Sequence, residues 1–278
     1  MKSLDRYSKE NLLRLEPELL RAIIRERTHH TVEGVIYRAL RGEVSLRPDH
    51  GELVKRLLDV WKERGLPQDL PDLIWASQLL NIIENLKQGV TPEMETVLPK
   101  PLPEEEICFV KRAIYERRSV RSFTDEDVPI RIIEKVIEAG LQAPHACNLQ
   151  TIRVIVVDDD EGLALFEKGE VAGAPVYLVI CQDYRPYEFF RNQIPDYNRS
   201  YDVGAAVQNM LLMANALGLG SVWLTYGENH AEKIRTHYDL PKHLHISTYV
   251  ALGWPLYGVI PPKRISVEEA ILNRENDS

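Results

Sequence analysis

Three arginines and a serine fall within five positions of the sequence, at Arg117, Arg118, Ser119 and Arg121. A guanidinium presents a planar fork of donors that binds phosphate oxygens in pairs, and a serine hydroxyl adds a small donor beside it. The cluster therefore predicts a site for a phosphorylated ligand. A simpler interpretation stays open, because cations near the C-terminal end of a helix also complement its dipole.

A second group of polar side chains lies in residues 142–150. The amides of Asn148 and Gln150 can meet both the donor and the acceptor positions on the edge of a heterocyclic ring. His145 is expected either to face solvent or to contact a ligand. Cys147 is expected to be a small packing residue, because the sequence assigns no fixed positive partner that would stabilise its thiolate.

The order of these segments resembles that of the nitroreductase family of flavoproteins. The arginine cluster is similar to the family's Arg-Arg-Ser-x-Arg-x-Phe pattern, and residues 143–150 are similar to its Ala-Pro-Ser-x-x-Asn-x-Gln loop, with His145 at the usual serine. Residues 202–221 resemble the family's central helix and glycine turn, and residues 251–255 resemble its late Leu-Gly-x-Pro strand. The resemblance extends over residues 104–270.

The resemblance implies that FMN is the cofactor. Arg121 is then expected to stabilise negative charge on the reduced ring, and the backbone of residues 225–227 is expected to lie against its reactive nitrogen. No catalytic side chain and no metal ion is implied, because the flavin carries the chemistry. The implied FMN-binding residues are Arg117, Arg118, Ser119, Arg121, Pro144, His145, Asn148, Gln150, Thr225, Gly227, Lys263 and Arg264.

The function implied by the resemblance is that of an FMN-dependent NAD(P)H oxidoreductase. Such an enzyme takes a hydride from NADH or NADPH and reduces a nitroaromatic, a quinone or a similar electron-poor small molecule in a ping-pong cycle. Two alternatives from the same family are reductive dehalogenation and cleavage of the flavin to make dimethylbenzimidazole. A third is a non-catalytic flavin-binding scaffold. The resemblance also implies a homodimer, because the family builds each flavin site from two chains.

Composition limits the class of protein. The 278 residues are 44% hydrophobic and carry a formal net charge of -8, which disfavours a nucleic-acid partner. The three cysteines, Cys108, Cys147 and Cys181, include no CxxC pair, so a disulfide framework or a zinc site is not expected. No apolar run approaches the roughly 18 to 20 residues of a membrane helix, and we expect a cytoplasmic protein without a membrane partner.

Hydrophobic periodicity predicts the elements that must position these residues. The resemblance implies an α+β fold class with a nitroreductase-like fold, in which helices flank a central mixed, mainly antiparallel sheet and an all-α extension precedes it. Residues 1–90 are predicted to form a helical domain, residues 91–103 a proline-rich linker, and residues 104–278 the FMN-binding domain. Helices are predicted at 104–116, 128–140 and 203–217, and strands at 152–157, 176–180, 221–224 and 249–252.

Three further expectations concern packing. The apolar residues of the helix at 104–116, which are Ile107, Val110, Ala113 and Ile114, are predicted to face inward. The resemblance implies that the aromatic residues between 184 and 201 form a substrate lid. Alternatively, they pack on a second subunit. The N-terminal helical domain is predicted to dock near the flavin entrance.

Overall fold

The computed structural model describes residues 5–91, 97–166 and 171–272. Residues 92–96 of the predicted linker lie outside the described residues, as do the two ends of the chain. The predicted N-terminal extension is helical, and a π-helical turn at His29–Glu33 joins its second and third helices. These helices are α1 (Lys9–Arg14), α2 (Pro17–Thr28), α3 (Gly34–Leu40), α4 (Glu52–Glu63) and α5 (Pro71–Lys87).

The remaining part of the chain combines helices with four strands, and the predicted α+β class is confirmed. None of the described helices is both long and apolar enough to cross a membrane. The helices are α6 (Glu104–Glu116), α7 (Ile130–Leu141), α8 (Asp160–Leu163), α9 (Arg185–Phe189), α10 (Asn198–Ala216), α11 (Glu228–His237) and α12 (Val267–Ala270). The strands are β1 (Ile152–Val157), β2 (Val176–Asp183), β3 (Gly220–Leu224) and β4 (Leu244–Gly253).

The four strands form one sheet in the order β1-β2-β4-β3, and each neighbouring pair is antiparallel. The arginine-rich segment lies beside β3, where a parallel bridge joins Ser119 to Ser221 and the Val120 N–H donates to the Ser221 carbonyl at 3.1 Å. Gly220 permits this close approach, since a Cβ there would lie 2.8 Å from Cβ of Val120. The arginine-rich segment is thereby fixed to the β3 edge of the sheet.

The two faces of the sheet carry different helices, as the alternation of side chains along a strand requires. On one face Leu178 and Ile180 of β2 pack with α7 and α10. On the other face Tyr177, Val179 and Cys181 pack with Ile234 of α11. The whole of β2 is buried, so it forms the centre of the domain.

The N-terminal helices have a core of their own, built around residues such as Ile23 and Leu57. Leu149 from the predicted flavin loop belongs to that core, and so do three residues of the predicted lid: Tyr187, Phe190 and Ile194. That part of the predicted lid is therefore packed against the N-terminal helices. Tyr197 and Tyr201, by contrast, are 59% and 66% exposed.

The prediction that α6 turns its apolar residues inward is wrong for the single chain. No residue of α6 is buried, and Val110 and Ile114 are 48% and 51% exposed. Ile107 and Ala113 are half-buried. The reason is that the described part of the chain leaves most of the apolar stripe of this helix uncovered.

Candidate functional site

The arginine cluster begins where α6 ends. Nη1 of Arg118 donates to the carbonyls of Tyr115 and Arg117 at 2.6 and 2.7 Å, so this side chain closes the C-terminal end of the helix. The helix-end interpretation of the sequence thus describes Arg118. Arg121 is exposed, and its Nη1 lies 3.4 Å from the Ser119 carbonyl.

Arg117 lies close to the C-terminal part of the chain. Burial lowers the pKa of its guanidinium, and the nearby charges of Arg264 and Arg118 lower it further. Lys263 is exposed next to Arg264 in sequence. Both charged groups that act on Arg117 are therefore cations, and an anion bound among them would relieve their mutual repulsion.

The loop that carries the predicted ring-binding amides has an unusual backbone. A 3₁₀ turn at Ala146–Asn148 contains Cys147 at φ 52°, and Asn148 and Gln150 follow at φ 54° and 51°. The left-handed conformation costs a non-glycine residue on the order of 1 kcal/mol, so three such residues need compensating contacts. Nε2 of Gln150 donates to Oδ1 of Asn148 at 2.9 Å, which orients the two amides relative to each other.

Asp202 of α10 supplies one of the contacts that compensate for the strained backbone of the loop. Its Oδ1 accepts a hydrogen bond of 2.9 Å from the Ala146 N–H, and its Oδ2 accepts one from the Tyr187 hydroxyl. Burial raises the pKa of Tyr187, and the hydrogen bond to Asp202 raises it further. Nδ1 of His145 lies 3.5 Å from Oδ2 of Asp202, and the His145 side chain is only 3% exposed. His145 therefore faces a buried carboxylate, whereas the preceding Pro144 is exposed.

The other predicted site residues lie just after β3. Thr225 and Gly227 are exposed there and line a cavity of about 460 Å³ together with Tyr177 and Tyr249. Burial raises the pKa of Tyr177 to about 12. A Cβ at Gly227 would meet no atom within 4 Å, so the space beside this backbone is open to a ligand.

Within a single chain, the loop amides and the arginine cluster lie apart. The loop leads into Ile152 of β1, at the sheet end where Gln182 and His245 pair, whereas Ser119 bridges to the start of β3 at the other end. Strands β1 and β3 are the two edges, so the loop and the arginine cluster lie at diagonal corners of the sheet. The strand spacing alone separates them by roughly 14 Å.

Cys147 does not have the surroundings of a reactive thiol. Burial raises its pKa, and the charges of Glu26 and Asp202 raise it further, against a smaller opposite effect of Arg27. The thiol therefore stays protonated, as expected of a packing residue. Across the described ranges, no group of three or more His, Cys, Asp and Glu side chains could hold a metal ion.

Sequence reasoning missed two residues that hold the loop, Asp202 and Arg25. Nη2 of Arg25 donates to the Leu149 carbonyl at 2.6 Å, and its side chain is 5% exposed. In sequence Arg25 stands between Ile24 and Glu26, and Asp202 stands between Tyr201 and Val203. Neither position is an isolated charge in an apolar run, so the sequence carries no signal that marks them.

Comparison with known proteins agrees with the predicted family. The sequence model described as the Nitroreductase family matches residues 114–168 and 161–254. A Methanothermobacter thermautotrophicus protein, provisionally named an NADH dehydrogenase/NAD(P)H nitroreductase, is 29% identical over 209 residues, which span 71% of this chain and 98% of that protein. The FMN reductase [NAD(P)H] of Bacillus subtilis is 26% identical over 190 residues, spanning 60% of this chain and 76% of the reductase.

Solved structures share the fold. One is the crystal structure, in complex with FMN, of a Desulfovibrio desulfuricans protein provisionally named a nitroreductase. It superposes with a TM-score of 0.52 at 33% identity, over 60% of this chain and 96% of that chain.

Proposed function

This chain belongs to the nitroreductase family, and we propose that it is an FMN-dependent oxidoreductase that takes electrons from NADH or NADPH and reduces an electron-poor small molecule such as a nitroaromatic or a quinone. The observation that carries the proposal is the cationic cluster of Arg117, Arg118 and Arg264, in which burial and like charges lower the pKa of Arg117. A phosphate group supplies the anion that such a cluster requires.

The predicted site residues are chemically suited to FMN. Arg117, Ser119 and Arg264 would hold the phosphate, with Arg118 and Lys263 adding positive charge. Asn148 and Gln150 offer amides to the polar edge of the ring, and His145 and Pro144 precede them in the same loop. The open backbone at Thr225 and Gly227 leaves room for the ring, and Arg121 would stabilise negative charge on it.

The complete site requires two copies of the chain. The arginine cluster and the amide loop lie at diagonal corners of one sheet, so neither set can complete the other within a single copy. The uncovered stripe of α6 offers an apolar surface for a second copy, with Phe109 and Tyr115 exposed by 58% and 72%. Exposed apolar surface of this kind marks an interface. We therefore include a homodimer in the proposal.

When bound, FMN supplies the redox chemistry, accepting a hydride from the nicotinamide and passing the electrons to the acceptor. The chain's own residues then bind and orient the cofactor. The arginines fix the phosphate end, the loop amides fix the ring edge, and the aromatic residues around the 460 Å³ cavity limit access of water and acceptor. No acid or base on the protein is required for hydride transfer.

We propose that residues 1–90 form a helical unit. Residues 91–103 join it to the FMN-binding unit at residues 104–278. Their core contains Leu149 from the loop and Tyr187 from the aromatic segment, which supports a role beside the flavin. The cysteines are free thiols in the structure, which supports a reducing compartment such as the cytoplasm.

Anaerobic reduction tests the proposed activity. The purified protein is expected to carry an oxidised flavin spectrum that is bleached by NADH or NADPH and restored by a stoichiometric amount of a quinone or a nitroaromatic. A protein that binds FMN but is bleached by neither nucleotide would be a flavin-binding scaffold, and the proposed activity would be wrong.

A further inference from the structure

We propose that Arg25, on a helix outside the family core, is a positioning residue for the flavin loop at residues 146–150. The inference rests on the proposed function, because it assigns Asn148 and Gln150 to the ring of FMN. Its consequence is that the N-terminal helices form part of the flavin site.

The first argument is the contact itself. Nη2 of Arg25 donates to the Leu149 carbonyl at 2.6 Å, and Nη1 donates to Oδ2 of Asp72 at 2.8 Å. The side chains of Arg25 and Asp72 are 5% and 7% exposed. A charged hydrogen bond that is shielded from water is among the stronger polar contacts in a protein. One guanidinium thus joins α2, α5 and the loop.

The second argument is the place of the acceptor within the loop. The Leu149 carbonyl belongs to the peptide group between Leu149 and Gln150. Asn148 is the residue just before Leu149. Asn148 and Gln150 both have positive φ, so the peptide between them must be held in an orientation that the free chain disfavours. The Leu149 side chain is fully buried in the core of the N-terminal helices, which anchors the same residue a second time.

The third argument is that Arg25 is itself held in place. Asp72 accepts hydrogen bonds from Nε and Nη2 of Arg21 at 2.6 to 3.0 Å, in addition to the one from Arg25. Two arginines from successive turns of α2 therefore share one carboxylate on α5. This arrangement leaves Nη2 of Arg25 directed at the Leu149 carbonyl.

The test compares Arg25→Met with a matched control. Arg64→Met removes an arginine that donates to a backbone carbonyl, that of Leu15 at 2.7 Å, within the N-terminal helices and away from the loop. Unfolding midpoints identify any variant that is merely destabilised. The readouts are the FMN dissociation constant of the apoprotein and the visible absorption and circular dichroism spectra of the bound flavin.

Arg25→Met is expected to raise the FMN dissociation constant about tenfold and to alter the flavin spectrum, whereas Arg64→Met keeps wild-type values. Arg25→Lys serves if the methionine variant does not fold. It keeps a cation beside Asp72 but lacks the fork that reaches two acceptors, so it should still weaken FMN binding by about threefold or more.

Flavin affinity and spectra in the Arg25 variants that match those of Arg64→Met would overturn the inference while leaving the proposed function intact. A wild-type protein that binds no FMN would instead overturn the proposed function, and with it the assignment on which the inference rests.

Discussion

The backbone N–H of Ala146 donates a hydrogen bond of 2.9 Å to Oδ1 of Asp202. The same carboxylate accepts a hydrogen bond from the hydroxyl of Tyr187, and only 5% of the Asp202 side chain is exposed. One buried carboxyl group therefore joins the loop at residues 146–150, the aromatic segment and the central helix α10. The contact holds Ala146, the first residue of the turn that contains the left-handed residues Cys147 and Asn148.

Asp202→Ala is expected to lower the free energy of unfolding by about 3 kcal/mol, because it leaves the half-buried Ala146 N–H and the buried Tyr187 hydroxyl without this acceptor. Denaturant titration of wild type and variant measures the change. Asp196→Ala is the control, since Asp196 pairs with Arg199 but is 82% exposed, and its removal should cost less than about 1 kcal/mol. Equal losses in the two variants would contradict the account of Asp202.

Arg117→Ala is expected to raise the FMN dissociation constant about tenfold or more, because a charged hydrogen bond to phosphate contributes about 1.5 to 3 kcal/mol. Titration of the apoprotein with FMN, followed by flavin fluorescence, measures it. Arg112→Ala removes a 67%-exposed arginine from the same helix, paired with Glu116 at 3.6 Å, and should leave the affinity unchanged. An unaltered affinity in Arg117→Ala would remove Arg117 from the phosphate site.

Cys181 is expected to resist thiol reagents in the native protein, because only the thiolate reacts and burial raises the pKa of Cys181 to about 12. At pH 9 an exposed thiol with an ordinary pKa is largely reactive, whereas Cys181 remains protonated. Counting native thiols with a disulfide reagent at pH 9 should therefore give the same number for wild type and Cys181→Ser. A lower count in the variant would show that Cys181 ionises or becomes exposed.

Phe109→Asp is expected to produce a monomer without tightly bound FMN. The substitution places a charge on the uncovered apolar stripe of α6, where Phe109 is 58% exposed. Light scattering gives the mass and absorbance gives the flavin content. Tyr37→Asp changes a 48%-exposed aromatic residue on α3 and should leave a flavin-loaded dimer. A Phe109→Asp monomer that retains one FMN per chain would contradict the two-chain site.

Hydrophobic periodicity predicted the strands best where β-branched residues fill most of the element. Strand β1 is predicted and observed at residues 152–157. Strands β2 and β4 extend beyond their predicted runs, to Asp183 and back to Leu244, because their ends carry polar residues with distant partners. Thr248 is an example: its hydroxyl donates to the Leu224 carbonyl at 2.6 Å and accepts from the Trp223 indole at 2.7 Å.

In the candidate site, too, the sequence predicted some of the residues and not others. The local spacing of the arginines and of the loop amides predicted candidate residues, because each set is contiguous in sequence. The residues that hold the loop could not be assigned from spacing. Arg25 and its acceptor Leu149 are 124 positions apart, and Ala146 and Asp202 are 56 positions apart, so only the fold relates them. The arginines and the amides lie apart within one chain, and their meeting across two chains is part of the proposal.

Mixed dimers test the central claim, that each FMN site takes its arginines from one copy and its loop amides from the other. One chain carries Arg117→Ala, and the other carries Asn148→Ala with Gln150→Ala, each with its own affinity tag so that the mixed dimer is purified. Neither parent dimer should hold FMN tightly. The mixed dimer is expected to bind one FMN per dimer with wild-type affinity, because one of its two sites combines the unaltered arginines with the unaltered loop. A mixed dimer without any tight site would contradict the account, since a site built within one chain would be damaged in both copies.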